Sequence, residues 1–522
     1  MSFLSIDPFA VKILFYSIRP YLRKRYLTFL ALLAIVLAPV MLKRTGAIKS
    51  WTSDRRLTVM TPHNETIQRE LGAAFIDYWE KKTGESLYID WRVPGGSNEI
   101  RMVLDSLYQA ADKRVADGDG DGGIGVDVLF GGGQLFFEQE QQKGRLVELN
   151  VFAEQVDLFA NSSIPASFTG EPFYDDEKQW VGVCLSQFGI VYNEDGLRAI
   201  GVEAPKTWDD LADPAYFGKL ALADPTKSGS VAKAFEMLVQ QKMHDRLKNI
   251  QQQPGEPMDK AIARTKREGW TDGIRLIQKI AANARYFTDS ATKIPHDVAQ
   301  GDAVAGICID FYGRTYNQRF MQPDGSSRVG WVAPVGGTSL SVDPVAVLRG
   351  AAEPELAQEF VSFLMSERGQ LLWNGQPGSS IGTNKRALRR LPVRRDLYIP
   401  ENLAQFTDPE AMPFENSGDF VYDPELTQNV FGSLRFIIRV MCMDSHDELK
   451  SAWKSLIDAD FPVRAMAIFN DVSEVSYEKA QHEIKRAIES GSKIDLVEQS
   501  IRKGTVFRVN FSKVKNMADK GR

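Results

Sequence analysis

Four times along this chain a short apolar run gives way to a turn of small polar residues, and each turn opens an amphipathic helix. The turns are Thr61-Pro62-His63-Asn64, Pro94-Gly95-Gly96-Ser97-Asn98, Gly131-Gly132-Gly133-Gln134 and Asp224-Pro225-Thr226-Lys227-Ser228-Gly229-Ser230. Between them the periodicity switches between two and 3.6 residues. Leu87, Ile89, Trp91 and Val93 alternate with polar residues, as in a strand, whereas Ile100, Val103, Leu104, Leu107, Tyr108 and Ala111 form a helical stripe. Strands alternating with helices predict βαβ units and a mainly parallel sheet. In such sheets ligands bind beyond the carboxyl ends of the strands. Unpaired N–H groups at the following helix N-termini, glycines that admit close approach and hydroxyl donors then suit a small anion or an anion-bearing metal complex. Each turn, taken singly, also reads as a plain helix cap.

A second block of the same kind starts near residue 195, with a strand at 219–223, a helix face on Val231, Ala234, Phe235, Leu238 and Val239, and a strand at 303–311. Two long extended stretches, 180–192 and 329–348, bracket it and read as crossings between two lobes. The expected organisation is a basic N-terminus over 1–50, lobe 1 over 51–190 plus 340–444, lobe 2 over 191–339, and an accessory helical segment over 445–522. That last segment shows a stripe on Tyr477, Ala480, Ile484, Ala487 and Ile488.

The first fifty residues stand apart. They hold eight Lys/Arg and a single acidic residue, Asp7, so the rest of a chain with net charge −5 carries −12. Tyr26 to Leu42 are apolar apart from Thr28, with Arg23-Lys24-Arg25 before and Lys43-Arg44 after. A cleaved secretory signal and an uncleaved anchor both fit. With no small-x-small cleavage site and with Lys43-Arg44 in place of a polar c-region, the anchor is favoured, and an acidic body beyond it is expected to be exported.

The acidic body argues against binding to a nucleic-acid backbone, which takes clustered Lys/Arg. Three cysteines, Cys184, Cys308 and Cys442, with no C-x-x-C spacing, indicate no disulfide framework, and five dispersed histidines make no local zinc motif.

Several stretches resemble one family. "LTVMTPHNETIQRELGAAFIDYWEKKTG", "VDVLFGGGQ", "PKTWDDLADPAYFGKLALADPTKSGSVAKAFEMLVQQ", "VAQGDAVAGICIDFYGR" and "VGWVAPVGGTSLSVDPVAVLRGAAEPELAQEFVSFLMSERGQLLWN" resemble extracellular solute-binding proteins of ABC importers, in the class that includes ferric-iron receptors. The resemblance covers roughly residues 55–390. It implies a two-lobed α/β type II periplasmic-binding fold that closes over a solute without covalent chemistry and passes it to a membrane permease. This chain would add an N-terminal transmembrane or signal helix and extra C-terminal helices. The residues expected to bind are Thr61, His63, Asn64, Ser97, Asn98, Gly132 and Gly133 from lobe 1, and Ser228, Gly229, Ser230, Asp310 and Tyr312 from lobe 2. Ferric receptors carry a His in the first strand–helix loop, where His63 stands, and a pair of adjacent tyrosines where this chain has Phe311-Tyr312. His63 and Tyr312 would be metal ligands if the solute is Fe(III); no resident cofactor is expected. Partners are then a small anion or metal solute, an ABC permease, and the membrane through the N-terminal helix, with the body on the periplasmic side.

Two rival functions stand beside this one. The same closing module can serve a membrane-anchored sensor. Gly378-Ser379-Ser380-Ile381-Gly382 matches the nucleophile-elbow pattern of a serine hydrolase on Ser380, but a turn precedes it where a strand is needed. Gly118–Gly123 matches G-x-G-x-x-G but precedes a strand instead of following one. Asp117, Asp119, Asp121 and Gly122 resemble the start of a calcium loop whose twelfth position is Val128 where a bidentate Glu belongs; a flexible acidic loop is the plainer reading.

Overall fold

The computed structural model describes residues 53–120, 122–415 and 418–520. The N-terminal apolar segment at 26–42, on which the anchor expectation rests, lies outside the described residues. Among the described residues no helix is long and apolar enough to cross a membrane.

Two sheets organise the molecule. The first is built from β1 (Arg55–Met60), β2 (Leu87–Arg92), β3 (Val128–Phe130), β6 (Val181–Ser186), β12 (Ser341–Val347) and β13 (Leu391–Pro392), in the order β13-β6-β12-β3-β1-β2. Helices α1 (Glu65–Thr83), α2 (Ser97–Ala116) and α3 (Gln134–Gln142) follow β1, β2 and β3. A small hairpin, β4 (Ser167–Phe168) and β5 (Glu171–Pro172), lies beside this lobe. The second sheet has the order β11-β7-β10-β8-β9, from β7 (Phe188–Asn193), β8 (Leu220–Ala223), β9 (Ala284–Thr288), β10 (Ala305–Ile309) and β11 (Val329–Val332). Here α4 (Gly229–Lys248) follows β8, α5 (Met258–Asn283) precedes β9, and α6 (Asp310–Arg319) starts directly on β10.

The sheets are mixed, where the sequence pattern predicted mainly parallel ones. β1 pairs parallel with β2 and β3, and β8 parallel with β9 and β10. The crossing strands β6, β7, β11 and β12 pair antiparallel. A parallel neighbour needs a helical crossover. β6 and β7 are one extended run that changes sheet at Gln187, so no helix turns the chain around, and β11 to β12 repeats this at 333–340.

Each lobe has its own core. The first centres on Leu57, Val59, Phe75, Phe130, Trp180, Phe360 and Trp373, the second on Trp208, Leu222, Phe235, Trp270 and Ile307. Residues 340–444 were expected in lobe 1 as a block. From Phe420 onward the chain instead joins the second core through Leu426, Val430, Leu434, Ile437 and Met441, and Trp453, Phe469, Phe507 and Phe511 extend that core to the C-terminus. Helices α8 (Phe431–Ile438), α9 (His446–Asp458) and α10 (Lys493–Lys520) carry it; α7 (Pro354–Met365) stays in lobe 1. Two indole donors tie the extension to α5, Trp453 Nε1 to Asn283 Oδ1 at 2.8 Å and Trp270 Nε1 to the Val475 carbonyl at 3.0 Å. The helical stripe in the sequence shows that an apolar face must be buried but not against which lobe.

Candidate functional site

The four turns converge between the lobes. At the first, Asn64 Oδ1 accepts from the Thr66 and Ile67 N–H groups at 3.0 and 3.2 Å, capping α1. Thr61 is enclosed, and its hydroxyl oxygen accepts from the His63 N–H at 3.0 Å. At the second and third turns, Gly96 and Gly133 occupy the N-cap positions of α2 and α3 with no side-chain cap. Ser97 Oγ donates to the Gly132 carbonyl at 2.9 Å, joining these two turns. At the fourth, Ser228 Oγ accepts from the Val231 N–H at 3.3 Å and lies 3.3 Å from Ser230 Oγ. Gly229 is exposed, and a Cβ there would stand 3.7 Å from Ser97 Oγ. Asn98 Nδ2 crosses from lobe 1 to donate to the Thr226 carbonyl at 2.6 Å. Three helix N-termini (α2, α3 and α4) therefore meet at one place, two of them with backbone donors left unclaimed by a cap.

Of the two residues expected from the first turn of α6, Tyr312 lines the cleft, whereas Asp310 is buried and accepts from Arg314 Nη2 at 2.6 Å. The Tyr312 hydroxyl is hydrogen-bonded with the Asn64 side chain across the lobes, and burial raises its pKa above the usual phenol value. Asn64, Glu65, Thr292, His296, Tyr312 and Tyr316 line a cleft of about 590 Å³ at this edge.

His63 is buried rather than open to the cleft. Its ring packs edge-on against Phe130 at 4.5 Å between centroids. A Cβ on Gly131 would stand 2.5 Å from its Nε2, a nitrogen that is buried and unpartnered. Burial pushes the imidazole pKa down to about 4, because the charged form loses its water. Among the described residues no group of three or more His, Cys, Asp or Glu is placed to hold a metal ion.

Below the turns lies a charged pair that the sequence reading did not single out. Arg390, on the approach to β13, is ion-paired with Asp343 of β12 and donates to Ser186 Oγ of β6 at 2.5 Å. The sheet order explains the meeting: β13 and β12 flank β6, with Leu391 opposite Leu185 and Asp343 opposite Cys184. A register shift between Asp343 and Pro344 marks a bulge there, the usual place for a strand proline, which cannot donate to the ladder. The Arg390 guanidinium stacks 4.8 Å from the Phe311 ring of lobe 2. Asp343 is held below the ordinary carboxyl pKa by Arg390, against the opposing effect of its burial. Buried polar atoms of three neighbouring residues make no hydrogen bond: Asp310 Oδ1, Arg314 Nε, which lies 3.9 Å from Asp408 Oδ1, and Arg390 Nε. In the sequence, Arg389-Arg390 reads as part of a solvated basic run, "RALRRLPVRR", and no local signal marks it as buried.

The other motifs take no part. Ser380 is exposed and donates to Gln405 Oε1 at 3.0 Å. Asp127, close to the acidic loop, serves as a backbone anchor, accepting from the Thr58 and Ala352 N–H groups at 2.8 and 2.7 Å.

The profile of the bacterial extracellular solute-binding protein family matches residues 126–401, more than half of the chain. This chain belongs to that family. The solute-binding protein is 26% identical to the phosphoglycerate transport regulatory protein PgtC of Salmonella typhimurium over 285 residues, covering 54% of this chain and 58% of PgtC. It is 25% identical to an uncharacterized protein of Haemophilus influenzae over 207 residues, covering 39% and 51% of the two chains. It thus spans little more than half the length of these curated relatives. Solved structures that resemble it include AfuA of Actinobacillus pleuropneumoniae with fructose-6-phosphate bound, at 18% identity and a TM-score of 0.44 over 66% of this chain and 86% of AfuA. Iron-bound HitA of Pseudomonas aeruginosa matches at 17% identity and a TM-score of 0.46 over 73% of this chain and 98% of HitA.

Proposed function

We propose that this protein captures a small phosphorylated or carboxylated organic anion between its two lobes, on the extracytoplasmic side, and delivers it to an ABC importer without chemical change. One observation carries the reading: the N-termini of α2, α3 and α4 meet at the lobe junction. Helix N-termini favour negative charge, and a phosphate or carboxylate accepts from their backbone N–H groups. The name of PgtC, which links that relative to phosphoglycerate transport, agrees with such a solute. An Fe(III) solute held by His63 and Tyr312 is the weaker choice. The His63 nitrogen is enclosed under Gly131, and the cation Arg390 stands beside the Asp343 carboxylate that a hard metal would use.

Titration calorimetry with 3-phosphoglycerate, glycerate and ferric citrate tests this. We expect the phosphorylated acid to bind most tightly, and replacing Ser228 and Ser230 by Ala to weaken it about tenfold while the fold is kept, the effect of losing hydrogen bonds to a charged ligand. Binding of ferric citrate alone, or unchanged affinity in the double variant, would refute the assignment. The N-terminal apolar segment is assigned as the tether, and retention of the full chain in carbonate-washed membranes checks it.

A second reading, a membrane-anchored sensor, is favoured by the C-terminal extension packed on lobe 2 and by the regulatory role in the name of PgtC. Deleting the gene separates the two: loss of labelled solute uptake marks a receptor, whereas unchanged uptake with altered expression of transport genes marks a sensor.

A further inference from the structure

The extension beyond Phe420 lies outside the family match, which ends at residue 401, yet it reaches the junction of the lobes. Its apolar attachments are to lobe 2. Polar contacts join it to lobe 1 at separate places. Beside the crossing segment, the Tyr422 N–H donates to the Thr169 carbonyl at 2.8 Å, and Thr169 Oγ1 accepts from the Leu340 N–H at 2.9 Å. Gly170, with φ +77°, leaves room there for the Tyr422 backbone. Farther along the chain, Gln428 Nε2 donates to Glu138 Oε2 of α3 at 2.6 Å. At the ligand turns themselves Arg435 Nε donates to the Pro225 carbonyl at 2.7 Å and Arg435 Nη2 to the Thr226 carbonyl at 2.6 Å. The same Thr226 oxygen accepts from Asn98 of lobe 1, and Asn98 Oδ1 in turn accepts from Arg101 at 2.6 Å and lies 3.4 Å from Arg435 Nη1.

Thr226 is thus a three-way junction of lobe 1, lobe 2 and the extension. We propose that the extension is a built-in closure latch, anchored at the hinge by Tyr422 and closed by Arg435 and Gln428, and that Arg435 is the positioning residue that holds the 224–230 turn where Asn98 meets it. Atoms beside the crossing strands move little when the lobes part, so the Tyr422–Thr169 bond survives opening. The Gln428–Glu138, Arg435–Asn98 and Asn98–Thr226 contacts reach from lobe 1 to lobe 2 or its extension, so opening must break them, whereas the Arg435 bonds to Pro225 and Thr226 lie within lobe 2 and its extension and persist. The Arg435 guanidinium is held near Arg101, and burial with that like charge brings its pKa down to about 10; it remains a cation at neutral pH. Two cations beside one turn also suit an anionic solute, so the latch rests on the receptor reading above for its purpose, though not for its test.

The test reads closure without any solute. Nitroxide labels on Ala73→Cys of α1 and Lys293→Cys of lobe 2, both exposed positions, report the width of the cleft by double electron–electron resonance in the full chain. The native Cys184, Cys308 and Cys442 are buried and stay unlabelled. Arg435→Gln is expected to shift the distribution toward the longer distance, lowering the closed-to-open ratio about tenfold, because the Arg435–Asn98 contact across the lobes is lost and the Thr226 carbonyl is no longer held for Asn98. Arg435→Lys, which keeps the charge and one donor, should recover part of it. Gln428→Ala, on a different contact, should shift it in the same direction, which keeps the test standing if Arg435→Gln fails to fold. Distributions for Arg435→Gln and Gln428→Ala that superimpose on the parent would overturn the latch, whether or not calorimetry finds a solute.

Discussion

His63 and Gly131 are complementary: the imidazole Nε2 occupies the space where any larger residue at 131 would place its Cβ, 2.5 Å away. Gly131 also sits at φ +82°, in the left-handed region. Gly131→Ala therefore meets a clash and a strained backbone at once. Each costs on the order of 1–3 kcal/mol, so a loss of about 3 kcal/mol in urea unfolding is expected. Adding His63→Ala should recover the steric part and leave the backbone part. A Gly131→Ala variant as stable as the parent would show that the ring does not pack under residue 131.

His63 also makes stability depend on pH. Its folded pKa is depressed to about 4 from 6.5 by burial, so the folded state resists the proton that the unfolded chain takes up. Above pH 6.5 both states are neutral and nothing is lost. As pH falls from 6.5 toward 4 the unfolded state gains protons first, and stability drops by about 2 kcal/mol between pH 7 and pH 5. His244 and His446 are shifted the same way by burial. The His63 share is therefore the difference in slope between the parent and His63→Phe in urea titrations at the two pH values. Equal slopes would show an imidazole that titrates freely.

The Asp343–Arg390 pair is buried between two strands that flank β6. Arg390→Met leaves an uncompensated carboxylate and should cost about 3–5 kcal/mol, whereas Arg390→Met with Asp343→Leu should cost markedly less, since an apolar pair needs no mutual charge. A double-mutant cycle by chemical denaturation measures the coupling. Additive losses would mean that the two side chains do not meet.

Lys233 lies between Glu171 and Glu236 at 3.2 and 3.1 Å, with its ammonium 3.3 Å from the centre of the Tyr422 ring. Burial already raises the Glu171 pKa despite the lysine. Lys233→Met strands two carboxylates together and should destabilise by about 3–5 kcal/mol at pH 7. With the folded Glu171 pKa raised above its unfolded value, protonation favours the folded state. The loss should shrink as pH falls toward 5, opposite in sign to the His63 effect. A deficit that stays constant from pH 7 to pH 5 would contradict the shared burial.

Much of the βα framework was legible. Local patterning places β1, α1, β2, α2 and β8, and the small residues after each strand mark where a ligand can approach, because glycine and N-cap chemistry are local requirements. Antiparallel pairing of the crossing strands was not legible, since pairing direction depends on where a continuous strand lands. Nor was the seat of the extension: the stripe on Tyr477, Ala480 and Ile484 demands burial but names no partner.

By itself the sequence determined the alternation of strands and helices, the two long crossings and the four turns, all consequences of residue preferences within a few positions of one another. Only the tertiary structure decided that Arg390 faces Asp343, that His63 sits under Gly131 and that Arg435 reaches Thr226. Those relations join residues 47, 68 and 209 positions apart. They exist because two separate cores fix the relative placement of elements whose local sequences carry no record of each other.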